Sequence, residues 1–373
     1  MSQILKSLQL STGSTPATPN SGFGVVYASG SNKFFFENSS GTEVDISTPG
    51  RGRINILYYT GSAIGNGTTQ TYTWNKPVGL KYIEVCCVGA GGGGGSGRKG
   101  TGTAQGGCGG GGGAAVWGFF DANALVSSSY TIVVGAGGAG GLGQTTSATN
   151  GNTGITGGTS SFGTLVIARG GGGAPGGAGS VAKKIGGGNA INCTPAGFPY
   201  ALSGCNGATM PNFPGNPASN AVNIFDVTIS NNDIATVTGN PALGNGGGGG
   251  GTGGSLGSAI VSGSRGSNGY QFTTLITNGG FPGSASGQSA SAPTDNMITT
   301  LLQFTGSTTL YGLGGGGHGG AFSSTINAGN GSNGGLYGAG GGGGGALGIN
   351  TALSSSGNGG SGSSGLCIVT EFF

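Results

Sequence analysis

The sequence predicts an all-β protein: a small N-terminal β-unit followed by a glycine-rich, β-sandwich-like body with packed polyglycine II helices. Three observations lead there. Ninety-six of the 373 residues are glycine, gathered into runs at residues 91–95, 106–113, 170–173, 244–254, 312–320 and 338–345. The segments between the runs are short, β-branched and aromatic, as in 82–88 (YIEVCCV), 130–134 (YTIVV) and 366–373 (LCIVTEFF). Charged residues make up only 6% of the chain, against about 25% in ordinary soluble domains.

Glycine loses more conformational freedom on ordering than any other residue, so a flexible glycine-rich chain stays disordered. Disorder usually comes with high charge, and a linker has no use for apolar strands. Collagen needs a strict Gly-X-Y period and abundant proline, and the 13 prolines here keep no such register. What remains is an array of extended helices with three residues per turn. Each lacks internal hydrogen bonds, but packed side by side its N–H groups reach neighbouring carbonyls. Glycine-rich loops hung on a β-sandwich are the alternative.

Taken in order, residues 1–60 form an N-terminal zone for attachment and oligomerisation. A proline-bearing linker (TPAT, 15–18) precedes strands at 23–28 (FGVVYA) and 33–37 (KFFFE), joined as a hairpin, and a third at 40–46. So small a unit buries too little surface to stand alone, and is expected to pack on copies of itself or on a neighbour. The body spans 61–373. Strands are expected at 70–77, 81–88, 114–120, 129–134 and 160–168, alternating with glycine runs. No fixed repeat of twenty to fifty residues is evident. Inserted loops lie at about 189–240, 261–304 and 321–337. The segments 81–88 and 366–373 each border a glycine run and alternate in polarity, so they should share one sheet.

Several function classes are disfavoured. The formal charge is +3, and the basic residues are dispersed rather than gathered on a face for nucleic acid. No stretch approaches the eighteen or so apolar residues of a membrane span, and no signal-peptide apolar region opens the chain. The GxGxxG matches lack a following amphipathic helix, and 95–101 (GSGRKGT) lacks the Gly-Lys-Ser/Thr ending of a phosphate loop. His318 is the single histidine and has no identifiable catalytic partner, while the nine acidic residues are scattered. Neither metal nor cofactor is expected, nor an enzyme. Cys86 and Cys87 should point to opposite faces of a strand. Cys193 and Cys205 share a loop where a disulfide is sterically plausible, although buried thiols serve equally well as small apolar residues.

Recognition remains. Aromatic rings beside Asn, Ser and Thr suit sugars and polar protein surfaces, which marks Phe198, Tyr200, Phe213, Tyr270 and Phe272 as candidate receptor-binding residues. A small core capping the array is the competing role for them.

Residues 71–90 (TYTWNKPVGLKYIEVCCVGA), 130–141 (YTIVVGAGGAGG), 157–173 (GGTSSFGTLVIARGGGG) and 362–373 (GSSGLCIVTEFF) carry a wider likeness. In their order and motifs they resemble bacteriophage tail-fibre and adhesin proteins with a glycine-rich domain. Residues 15–46 are more loosely similar to a β-unit near the start of phage fibre chains. The resemblance implies stacked polyglycine helices whose distal loops contact a host receptor. The expectation is a virion protein, a homotrimeric fibre or spike. It would bind a surface glycan or outer-surface protein and join other virion proteins through its N-terminal region. A head-fibre, collar or decoration protein is one alternative, and a polyglycine-helix ice- or surface-binding protein is another.

Overall fold

The computed structural model describes residues 24–28, 34–38, 43–45, 54–61, 67–101, 103–179, 194–195, 198–202, 289, 319–324, 327–348 and 353–373. Among them there is no α-helix, and the protein is all-β. Near the N-terminus β1 (Gly24–Ala28), β2 (Phe34–Asn38) and β3 (Glu43–Asp45) form an antiparallel sheet in the order β1-β2-β3. This is the predicted three-stranded unit.

The body begins at β4 (Ile54–Thr60) and continues with β5 (Gln70–Asn75), β6 (Tyr82–Val88), β7 (Ala115–Asp121) and β8 (Ser129–Val134). Then come β9 (Ser160–Phe162), β10 (Val166–Ala168), β11 (Thr194–Pro195), β12 (Phe198–Leu202) and β13 (Leu366–Phe372). Two five-stranded antiparallel sheets result, ordered β12-β7-β6-β13-β4 and β11-β10-β9-β8-β5. β6 and β13 pair directly from Val88↔Leu366 to Tyr82↔Phe372, as their matched polarity predicts.

Alternation along these strands fills one core between the sheets. Ile83, Val85, Cys87, Val116, Cys367 and Val369 meet Trp74, Ile132, Val134, Phe162 and Val166 there. Cys86 belongs instead to a cluster on the other face with Val88, Ala115, Leu366 and Ile368, so the adjacent cysteines do point opposite ways. Glu371 also enters the core side. Its carboxylate accepts from Trp74 Nε1 at 2.8 Å and from Asn55 Nδ2 at 3.0 Å, which meets the requirement that a buried charge be hydrogen-bonded.

Three boundaries differ from the sequence reading. β4, assigned to the N-terminal zone, is the edge strand of the body sheet, paired with β13 from Ile54↔Phe372 to Thr60↔Leu366. The expected strand at 160–168 is two strands, turned at Gly163, whose φ of +52° favours glycine. The third expected loop, 321–337, is largely part of the packed body: 319–323 and 328–334 are bonded into the array described next.

Beyond the sheets the chain runs as extended rods, and their hydrogen bonds repeat every three residues. The rod at 90–100 leaves β6 and lies at the centre. Its amides 91, 94 and 97 donate to carbonyls 363, 360 and 357, and amides 92, 95 and 98 donate to 111, 108 and 105. Amides 90, 93, 96 and 99 donate to 158, 155, 152 and 149. In return, its carbonyls accept from 138 and 141, from 341, 344 and 347, and from 171, 174 and 177. Six rods therefore surround it: three antiparallel (104–114, 149–158, 355–365) and three parallel (135–144, 169–179, 338–348).

The surrounding rods also bond to one another, closing the ring in the order 135–144, 355–365, 338–348, 104–114, 169–179, 149–158. Parallel and antiparallel rods alternate around it. A three-residue repeat with six neighbours is what extended helices of three residues per turn produce when packed side by side. At about 3.1 Å per residue an eleven-residue rod is roughly 34 Å long. Where glycine stands on the central rod, the spacing leaves no room for a side chain. A Cβ built on Gly93 would lie 1.9 Å from the Ala139 carbonyl oxygen, and one on Gly95 would lie 2.1 Å from that of Pro175.

Candidate functional site at the far end of the rods

Topology separates the molecule into two ends. Rods 90–100, 135–144 and 169–179 leave β6, β8 and β10, and rods 104–114, 149–158 and 355–365 return to β7, β9 and β13. The turns joining the outgoing and returning rods, around 101–103 and 145–148, therefore gather at the end remote from the sheets.

The described residues exposed at that end are uncharged. Thr101, Thr145, Thr146, Ala148 and Asn150 are exposed, and Leu353 is fully so. Ala148 adopts φ +57°, a left-handed conformation that non-glycine residues take at a cost of about 1–2 kcal/mol.

Beneath the surface lies Lys99, the last side chain on the central rod, only 1% exposed. Its Nζ donates to the carbonyl of Thr145 at 2.6 Å and to that of Ser354 at 2.6 Å. Its backbone exchanges two hydrogen bonds with Thr149, at 3.1 Å each. A buried ammonium is tolerated because carbonyl oxygens replace its water, and here those carbonyls belong to two different chain segments at the tip. Arg98 alongside donates from its guanidinium to Asn150 Oδ1.

The rim of the array shows how the outermost amides are satisfied. Asn327, Asn330 and Asn333, three residues apart, accept through Oδ1 from the amides of Ser355, Asn358 and Ser361, each at 2.8 Å. Asn358 Oδ1 in turn accepts from Gly143 N, and Ser356 Oγ from Gln144 N at 2.7 Å. Side-chain oxygens thus take the place of backbone carbonyls at these amides. Changing Asn327, Asn330 and Asn333 together to alanine should cost about 0.5–1.5 kcal/mol per bond. Hydrogen exchange should show protection lost at amides 355, 358 and 361 while 357, 360 and 363 keep theirs, since those donate to backbone carbonyls.

Of the aromatic candidates, Phe198 and Tyr200 lie among the described residues. Phe198 and Tyr200 lie in β12, in register with Phe119 and Trp117 of β7, and so belong to a sheet edge and not to a free loop. Phe213, Tyr270 and Phe272 lie outside the described residues, as do His318, Cys193 and Cys205. Near Phe198 the sheet carries a half-exposed aromatic cluster: Tyr82 and Phe119 stack at 5.6 Å, and Phe372 sits 6.1 Å from Phe119. In register with Phe119 is Glu84, whose carboxyl is pushed up from its usual value by burial. A raised carboxyl pKa favours the folded state only while the group is protonated, so this contribution falls as pH rises through the raised value. Glu84→Gln should therefore match the parent at acid pH and melt above it at neutral pH.

No membrane-spanning helix and no group of metal-ligating side chains occurs among the described residues. The groove lined by Lys76, Val78, Leu80, Leu125 and Val126 is shallow and lies at the end opposite the tip. In it Lys76 Nζ is already bonded to the Ala122 and Leu125 carbonyls. Compared with known families, residues 66–371 match the model of a glycine-rich domain. No curated protein is significantly similar to the chain.

Proposed function

From its membership of the glycine-rich domain family, we propose that this chain is a virion fibre or spike protein that recognises a host-cell surface through loops carried at the far end of its rods. The observation that carries the reading is the division of the molecule into two ends: strands at one, rod-connecting turns at the other. A ring of backbone-bonded rods is stiff, and exposed loops on a rigid scaffold are where binding residues concentrate. The rods themselves offer few side chains with which to discriminate partners.

In this reading the N-terminal three-stranded unit joins the chain to other virion proteins, and three copies assemble into one fibre or spike. Weak contacts repeated on one particle then sum to firm attachment. Threonine, asparagine and a few exposed aromatic rings suit a glycan or a polar outer-surface protein. A surface-binding role of the ice-binding kind needs a broad flat row of small side chains. The exposed row at Asn150, Thr153 and Thr156 is one rod wide.

The test is adsorption. Particles carrying Thr146→Arg should assemble normally and adsorb to host cells at least about tenfold more weakly, the loss a central contact produces. Excess purified chain should block adsorption by unmodified particles. Normal adsorption by particles that lack the chain would instead favour a head-fibre, collar or decoration role.

A further inference from the structure

Four free cysteines are buried among the described residues: Cys86, Cys87, Cys108 and Cys367. Two of them meet. Cys87 of β6 and Cys367 of β13 are register partners, and their Sγ atoms lie 3.4 Å apart with both residues fully buried between the sheets. A disulfide needs sulfurs about 2.0 Å apart on Cβ atoms roughly 3.5–4.5 Å apart. Facing residues on adjacent antiparallel strands have Cβ atoms about 4.5–5.5 Å apart, so closure asks for side-chain rotation and a small approach of the strands. Cys86 faces the opposite side, between Trp117 and Ile368, and Cys108 packs against Ala174.

We propose that Cys87 and Cys367 are the site of a disulfide that forms in the folded body under oxidising conditions, locking the strand that opens the rod array to the strand that closes it. The oxidant is a small-molecule disulfide, RSSR. The Cys87 thiolate attacks one sulfur, forming a mixed disulfide and expelling the first small thiolate, which takes up a proton. Cys367 then loses its proton and attacks the Cys87 sulfur, expelling the second. Two protein thiols are oxidised, and one RSSR is reduced to two RSH. Burial, reinforced by the Cys367 contact, holds the Cys87 thiol well above its usual range, so thiolate is scarce and the bond forms slowly. In a reducing compartment the pair stays open. The residues are 280 apart in sequence, so the bridge encloses every described rod, and cross-links that close long loops restrict the unfolded chain most.

The experiment starts from reduced, folded protein exposed to oxidised glutathione, then denatured, alkylated with iodoacetamide and digested for mass spectrometry. The expected result is a linked peptide pair joining Cys87 to Cys367, with Cys86 and Cys108 alkylated. The melting temperature should rise and return to its starting value on adding dithiothreitol. Cys86→Ala should leave both results intact, and Cys87→Ser should abolish them. Full alkylation of Cys87 and Cys367 after prolonged oxidation would overturn the proposal. So would a linkage that forms only in denaturant, or a glutathione adduct on Cys87 that never resolves.

Discussion

Replacing Gly94 with alanine should unfold the body under conditions where the parent is stable. The added Cβ would stand 2.1 Å from the Gly342 carbonyl oxygen, inside the distance any real methyl group tolerates. That oxygen cannot swing away cheaply. It accepts from Gly360 N at 2.7 Å, and the same residue donates to Ser332 at 2.9 Å. Overpacking alone costs about 1–3 kcal/mol, and each backbone bond lost in making room adds roughly 1 kcal/mol. The total, above about 3 kcal/mol, is a large share of the 5–15 kcal/mol that holds a typical domain folded. Thr153→Ala, on an exposed outer row, should change stability by less than about 0.5 kcal/mol. Urea titration of the two variants beside the parent decides the matter. Equal midpoints for Gly94→Ala and the parent would mean that the rods are not packed as their hydrogen bonds describe.

Much of this fold was legible because strands and rods carry different periods. Short β-branched and aromatic segments (82–88, 130–134 and 366–373) mark the strands, with alternating polarity in 81–88 and 366–373, and dense glycine marks the central rods, where every face is covered. The rim was not legible in the same way. A rod with one open side needs small residues only on the rows that face its neighbours. Residues 328–334 (AGNGSNG) therefore read as an ordinary loop, although Asn327, Asn330 and Asn333 keep a spacing of three. β4 was misassigned because its partner, β13, follows some three hundred residues later, and nothing local announces such a pairing. Phe198 and Tyr200 were expected in a loop because Pro199 lies between them. Among the described strands β12 is an edge, and an edge is where a sheet accepts a residue without an N–H. In the sequence Lys99 belongs to 95–101, which lacks the ending of a phosphate loop, and its place at the end of a glycine run is the signal of a rod terminus.

Lys99→Met should loosen the tip before it loosens the sheets. Methionine keeps most of the apolar stem and the volume, so the change isolates the ammonium group. Hydrogen bonds to charged groups contribute about 1.5–3 kcal/mol each. Losing those to Thr145 and Ser354 also removes a donor from one part-buried and one buried carbonyl, for a combined cost of about 3–5 kcal/mol. The damage should be local, because the central rod remains bonded through its backbone to all six neighbours from residue 90 to residue 98. Amides near 149 and 354–356 should lose exchange protection, and a protease should nick the 145–148 turn, while amides of β8 and β13 stay protected. Should the tip turns be the recognition surface, adsorption would fall alongside, without any loss of assembly. Unchanged protection at 149 and 354–356 would show that the ammonium does not hold the two segments together. Loss of protection throughout the sheets would make Lys99 a residue of the global fold, not a pin at one end.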